Sequence, residues 1–144
     1  MKINITYTSK FGNGKKCVEE LKGILEKKGQ EVEVFSISET KPNKLPEADI
    51  YIFSSPVRMF VLPLKMRGFL KRFKPLKSDS KYALMTTYIT QEPMAFAKMD
   101  KLLEGKGMKK VTTGFCAKVK EIKGPLEEGY RKKLEDFAEE LVKI

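Results

Sequence analysis

The feature that most constrains the fold is a hydrophobic period that keeps switching along the chain. Short apolar runs give way to stretches with apolar residues three and four apart, and then to apolar runs again. A run such as Ile50-Tyr51-Ile52-Phe53 has no polar face. It reads as a strand covered on both sides, as in a parallel sheet flanked by helices. Strands are expected over residues 3–7, 32–35, 50–53, 82–88 and 111 to about 119. A helix is expected over 13–28, with Val18, Leu21, Ile24 and Leu25 on one face and Gly29 as its stop signal. Another starts at 61 or 63, where Pro63 suits a helix start, and reaches 73 with Leu62, Met66, Phe69, Leu70 and Phe73 on one side. Further helices are expected over 93–103 and from 125 onward, the last carrying Leu126, Tyr130, Leu134, Phe137, Ala138 and Leu141. Pro42 and Pro46 leave room for no more than a short helix between strands two and three.

Five strands alternating with four or five helices through short loops imply an α/β fold, a parallel sheet with helices on both faces. No internal repeat, low-complexity tract or linker divides the chain, so residues 1–144 read as a single domain. A chain of this length buries about two thirds of the surface that its unfolded form exposes. It needs neither disulfide nor metal.

Composition excludes several kinds of chemistry. Histidine is absent, which removes the commonest metal ligand and the commonest general base and argues against a zinc hydrolase or a serine triad. Cys17 and Cys116 sit among apolar neighbours without metal-ligand spacing and read as buried core thiols. No segment approaches the twenty or so apolar residues that span a bilayer, and the N-terminus has strand character rather than the apolar stretch of a secretory signal. A cytoplasmic protein is expected. The net charge of +10 favours acidic partners. Much of it is local: Arg58, Lys65, Arg67, Lys71, Arg72, Lys74 and Lys77 occur with no acid between them. That run is either a solvated helix face, a dock for an acidic protein, or a loose nucleic-acid contact.

Three segments follow strands one, three and four: Thr8-Ser9-Lys10-Phe11-Gly12-Asn13-Gly14, Ser54-Ser55-Pro56-Val57-Arg58-Met59-Phe60, and Thr86-Thr87-Tyr88-Ile89-Thr90-Gln91. If those strands lie side by side, the three loops meet at one sheet edge, where open α/β sheets bind ligands. The first loop passes from strand to helix and so points backbone N–H groups and the positive helix end at whatever lies above it. Gly12 and Gly14 permit close approach, Thr8, Ser9 and Asn13 add donors, and Lys10 and Lys15 add charge. A phosphate nest fits this pattern, and so does an ordinary βα turn whose polar residues cap the helix. It is neither a Walker A loop, since Gly14 is followed by Lys15-Lys16, nor a Gly-x-Gly-x-x-Gly turn.

Taken together, the stretches Ser9-Lys10-Phe11-Gly12-Asn13-Gly14, Ser54-Ser55-Pro56-Val57-Arg58-Met59 and Thr87-Tyr88 resemble the phosphate loop, the Gly-Ser-Pro-like turn and the aromatic third loop of the flavodoxin family. The match in element order covers nearly the whole chain, and the length is similar to that of the short-chain members, with no evident insertion splitting strand five. The resemblance implies a flavodoxin-like three-layer sandwich, strand order 2-1-3-4-5, and FMN as cofactor. Carried over, Thr8, Ser9, Lys10, Phe11, Gly12, Asn13 and Gly14 form the phosphate loop. Pro56, Val57, Arg58, Met59 and Phe60 line one side of the flavin ring, and Thr87, Tyr88 and Ile89 the other, with Tyr88 placed for stacking. No catalytic side chain and no metal ligand is assigned, because the cofactor does the redox chemistry.

The chain departs from the family pattern in several places. Phe11 stands where a small hydroxyl residue is usual, and Gly14 replaces the closing threonine, so two phosphate hydroxyls are missing. Lys10 and Lys15 can offset that loss electrostatically. The +10 charge contrasts with acidic family members and favours the anionic reduced flavin, hence a less negative second reduction potential. An aspartate is lacking at the end of strand three and a cysteine in the first loop, which excludes a response-regulator receiver, a low-molecular-weight tyrosine phosphatase and a phosphotransferase-system subunit. The expectation is an FMN-binding redox protein that carries electrons or, as an FMN-dependent oxidoreductase, reduces a small acceptor such as a quinone. Its expected partner is an acidic redox protein such as a ferredoxin or a reductase, with nucleic acid disfavoured. The alternative is a flavin-free flavodoxin-fold module that binds another phosphorylated ligand or an acidic partner.

Overall fold

The computed structural model describes residues 1–57, 61–77, 79–89, 95–121 and 123–144. Strand β1 (Lys2–Tyr7) leads into helix α1 (Asn13–Lys27), and β2 (Glu31–Ser36) is followed by a 3-10 turn at Pro42–Lys44. Then come β3 (Ile50–Pro56), α2 (Leu64–Arg72), β4 (Lys81–Tyr88), α3 (Ala95–Leu103), the short strands β5 (Lys109–Lys110) and β6 (Phe115–Lys118), and α4 (Tyr130–Val142). The sheet order is β2-β1-β3-β4-β5, with β6 also on β4, and every pairing is parallel. This is the 2-1-3-4-5 order expected.

Strand alternation divides the interior in two. Ile3, Ile5, Ile50, Ile52, Ala83 and Met85 pack against α1 and α4, through Cys17, Val18, Leu21 and Leu25 of α1 and Leu134, Phe137, Ala138 and Leu141 of α4. Tyr51, Phe53, Tyr82 and Leu84 point the other way, against Met66, Phe69 and Leu70 of α2 and Met99 and Leu103 of α3. Phe73, just past α2, meets Tyr51 and Phe53 edge-on, with ring centroids 5.0 and 5.3 Å apart. Because β3 and β4 are covered on both faces, residues 50–53 and 82–85 are continuously apolar, whereas β1 also buries the polar Asn4 and Thr6.

Three expectations are corrected. The fifth strand is divided: β5 pairs with Lys81 and Tyr82, β6 with Met85 to Tyr88, and residues 111–114 interrupt them. Gly114 explains the break. Its φ of 103° is a left-handed value, its N–H donates to Thr112 Oγ1 at 3.1 Å, and a Cβ there would come within 2.6 Å of the Phe96 ring. The last helix begins at Tyr130 rather than Pro125. Residues 125–127 instead lie along the end of β6, with Leu126 bridged to Val119, and the Glu127 N–H donating to Lys118 O at 2.8 Å while Glu127 Oε2 accepts the Lys118 N–H at 2.6 Å. Cys17 is buried in the core but Cys116 is only half-buried. The other boundaries lie close to expectation, except that β3 runs on through Ser54 and Ser55, both buried in the sheet. Residues 93 and 94, expected to open the third helix, lie outside the described residues. Among the described residues no helix is long and apolar enough to cross a membrane.

Candidate cofactor site

Parallel strands deliver their C-terminal ends to one edge, and short backbone hydrogen bonds fix the loops there relative to one another. The Thr8 N–H donates to Ser54 O at 3.0 Å, joining the first loop to β3. The Val57 N–H donates to Thr87 O at 3.0 Å, joining the second loop to β4, and the Val119 N–H donates to Tyr88 O at 2.7 Å. Between them lies an open cleft.

Ser9, Lys10, Phe11, Asn13, Gly14, Pro56, Val57, Thr87, Tyr88 and Ile89 all line this cleft. Ten of the fifteen residues expected from sequence thus meet at one place. Thr8 and Gly12 shape the first loop without lining the cleft. Arg58, Met59 and Phe60 lie outside the described residues. Val119, at the end of β6, lines the cleft as well. The sequence contained a signal for it, since a residue closing the fifth parallel strand must emerge at the same edge.

The floor of the cleft has the chemistry of an anion cradle. Gly12, the residue before α1, has φ 90° and ψ −5°, a left-handed conformation that reverses the chain into the helix. Its N–H donates to Ser9 Oγ at 3.1 Å, and its carbonyl accepts the Lys16 N–H at 2.9 Å. No side chain caps α1 and its first turn carries no acid, so the helix presents first-turn amides, which have no intrahelical partner, and the positive end of its dipole. Gly14 is buried against Ser9, where a Cβ would lie 3.7 Å from Ser9 Oγ. These residues fit the phosphate of an FMN: the donors are uncharged amides and hydroxyls at a bare helix end, with lysines around the rim.

Pro56, Val57, Tyr88 and Ile89 give the lining an apolar and aromatic part, which suits a flat ring. Burial, helped by Glu20, pushes the Cys17 thiol up to about 12, so it stays protonated and inert. Behind the cleft, α4 is tied to the loop that follows β6. Burial alone would raise the Glu127 pKa, but Lys133 Nζ at 2.7 Å and the Lys118 N–H outweigh it and hold the carboxyl below its ordinary value.

Comparison with known proteins agrees with this fold. Residues 4–119 match the family described as "Flavodoxin domain". A search of curated protein sequences finds no match. Among solved structures, oxidised flavodoxin 2 from Bacillus cereus is similar with a TM-score of 0.83 and 21% identity, over 99% of this chain and 99% of that one. The Streptococcus pneumoniae TIGR4 flavodoxin is similar with a TM-score of 0.77 and 22% identity, over 99% of each chain. A Fusobacterium nucleatum flavodoxin variant bound to flavin mononucleotide has a TM-score of 0.75 at 14% identity, over 99% of this chain and 95% of that one. At such identities the structures speak for the fold alone, but the family match extends over most of the sequence: the chain belongs to the flavodoxin domain family.

Proposed function

We propose that this protein binds FMN at the strand-end cleft and works as a redox protein. It exchanges electrons with an acidic protein partner such as a ferredoxin or a reductase, or passes them to a small acceptor such as a quinone. The observation that carries the reading is the convergence of the loops after β1, β3 and β4 on one cleft above an uncapped helix N-terminus. When bound, FMN supplies the one- and two-electron chemistry.

The chain's own part is binding and electrostatics. Residues 8–14 hold the phosphate through amides and hydroxyls. Pro56, Val57 and Tyr88 flank the ring and limit water's access to it. The acidic partner is supported by the +10 charge and by α2, the helix that follows the second loop. There Lys65 and Arg72 share a groove with Lys41, and Leu64 is 77% exposed beside them. A cationic rim around an exposed apolar residue suits a transient contact with an anionic surface.

The test is the visible absorbance spectrum of the purified protein, recorded before and after incubation with excess FMN and desalting. Retained flavin bands with a perturbed shoulder are expected. A colourless protein after loading would refute the reading and turn the search to other phosphorylated ligands.

A further inference from the structure

The loop between β6 and α4 is not one of the three that the sequence singled out, yet it is packed down onto the first of them. Gly124 lies so close to Asn13 that a Cβ there would come 3.0 Å from Asn13 Oδ1. Two ammonium groups converge on the ring of Phe11: Lys10 Nζ at 5.5 Å from the centroid, and Lys123 Nζ, from the β6–α4 loop, at 6.0 Å. Neither lysine has an acidic partner among the described residues. Their neighbours are otherwise committed: Lys15 faces Glu19 at 4.0 Å, and Lys16 lies over the Tyr130 ring at 5.8 Å. Two like charges gathered on one ring, beside the positive end of a helix whose first turn holds no acid, repel one another until an anion joins them.

We propose that Lys123, together with Lys10, forms a two-lysine clamp on the cofactor's terminal phosphate, with Phe11 as the seat that holds both side chains at the rim. This inference rests on the FMN reading and adds to it a fourth loop and a charged contact. The phosphate of FMN is close to doubly charged at neutral pH, and a lysine serves it as a mobile point charge. Phe11, which lacks the small hydroxyl usual in the family, gives its ring face to the ammonium groups instead, a cation–π contact that limits how far each side chain wanders. Charge at the rim thus takes over from the hydroxyls that Phe11 and Gly14 do not supply.

The experiment measures dissociation constants of the apoprotein for FMN and for riboflavin, which lacks the phosphate, by quenching of flavin fluorescence. Wild type is compared with Lys123→Met, Lys123→Arg and Lys27→Met, the last removing an exposed charge at the opposite end of α1. Lys123→Met is expected to weaken FMN about tenfold, the scale of one partly exposed charge-assisted contact. It should leave riboflavin unchanged and flatten the salt dependence of FMN binding. Lys123→Arg should keep most of the FMN affinity, and Lys27→Met nearly all of it. An unchanged FMN affinity in Lys123→Met, or an equal loss for both flavins, would overturn the clamp. A wild type that binds both flavins equally well would also overturn it while leaving the FMN reading in place. Binding of neither flavin would remove both.

Discussion

Gly12 and Gly14 lie two residues apart in the same loop, and the structure assigns them opposite responses to the same added methyl group. Gly12 has φ 90°, and a Cβ built on it meets nothing within 4 Å. Gly12→Ala therefore introduces backbone strain alone. An alanine in the left-handed region costs about 1–2 kcal/mol, and the lower entropy of the unfolded chain returns about 0.4–1 kcal/mol of that. The net loss is about 1 kcal/mol. Gly14 lies inside α1 with no left-handed φ, and its added Cβ would rest 3.7–3.8 Å from Ser9 and Thr8, which is ordinary contact. Gly14→Ala therefore keeps the entropy and helix-propensity gain, about 0.5 kcal/mol in a first turn. The two variants should differ by about 1.5 kcal/mol. Urea unfolding of the apoproteins, followed by far-UV circular dichroism, resolves that difference if the slopes stay equal. Equal destabilisation by both substitutions would refute the argument, because it would mean that close packing rather than backbone handedness governs the loop. A neutral Gly12→Ala would refute it from the other side.

The remaining predictions concern charge. Glu127 has a depressed pKa, so its contribution to stability is complete above the ordinary glutamate value of about 4.3 and is lost as pH falls through the depressed one. Its partner Lys133 is half exposed, which limits the effect to about 1 kcal/mol. Glu127→Gln should lower stability at neutral pH and leave a shallower acid limb in pH-dependent urea titrations, and an unchanged limb would contradict the assignment. With FMN bound, the second reduction potential should be less negative than in acidic flavodoxins, since a chain at +10 stabilises the anionic reduced flavin. Spectroelectrochemistry checks this, and a very low second potential is the adverse result. Electron exchange with an acidic ferredoxin should slow as added salt shortens the Debye length from about 30 Å to about 3 Å. A rate indifferent to salt would count against an acidic partner.

The meeting of the loops at one candidate cleft was legible because it follows from topology. Once residues 3–7, 50–53 and 82–88 are read as adjacent parallel strands, Ser9, Val57 and Tyr88 must emerge at one edge, and they line one cleft. The start of α1 at Asn13 and its termination at Gly29, whose φ is 84°, were equally local: a glycine-rich entry and a left-handed exit need no distant partner. Less legible was everything that depends on which distant residue arrives. The interruption in the fifth strand depends on the Phe96 ring closing over Gly114. The late start of α4 depends on Glu127 finding both Lys118 and Lys133.

The sequence by itself determined the alternating elements and the layers, because hydrophobic period is a property of neighbouring residues, while the strand order, and with it the edge where the three loops meet, was legible only through the family resemblance. Only the tertiary structure decided that the loop after β6 reaches back to the first loop and places Lys123 on Phe11, beside Lys10. The physical reason is that a charge far along the chain gains its meaning from the field where it comes to rest, and that field is assembled only when the sheet edge closes.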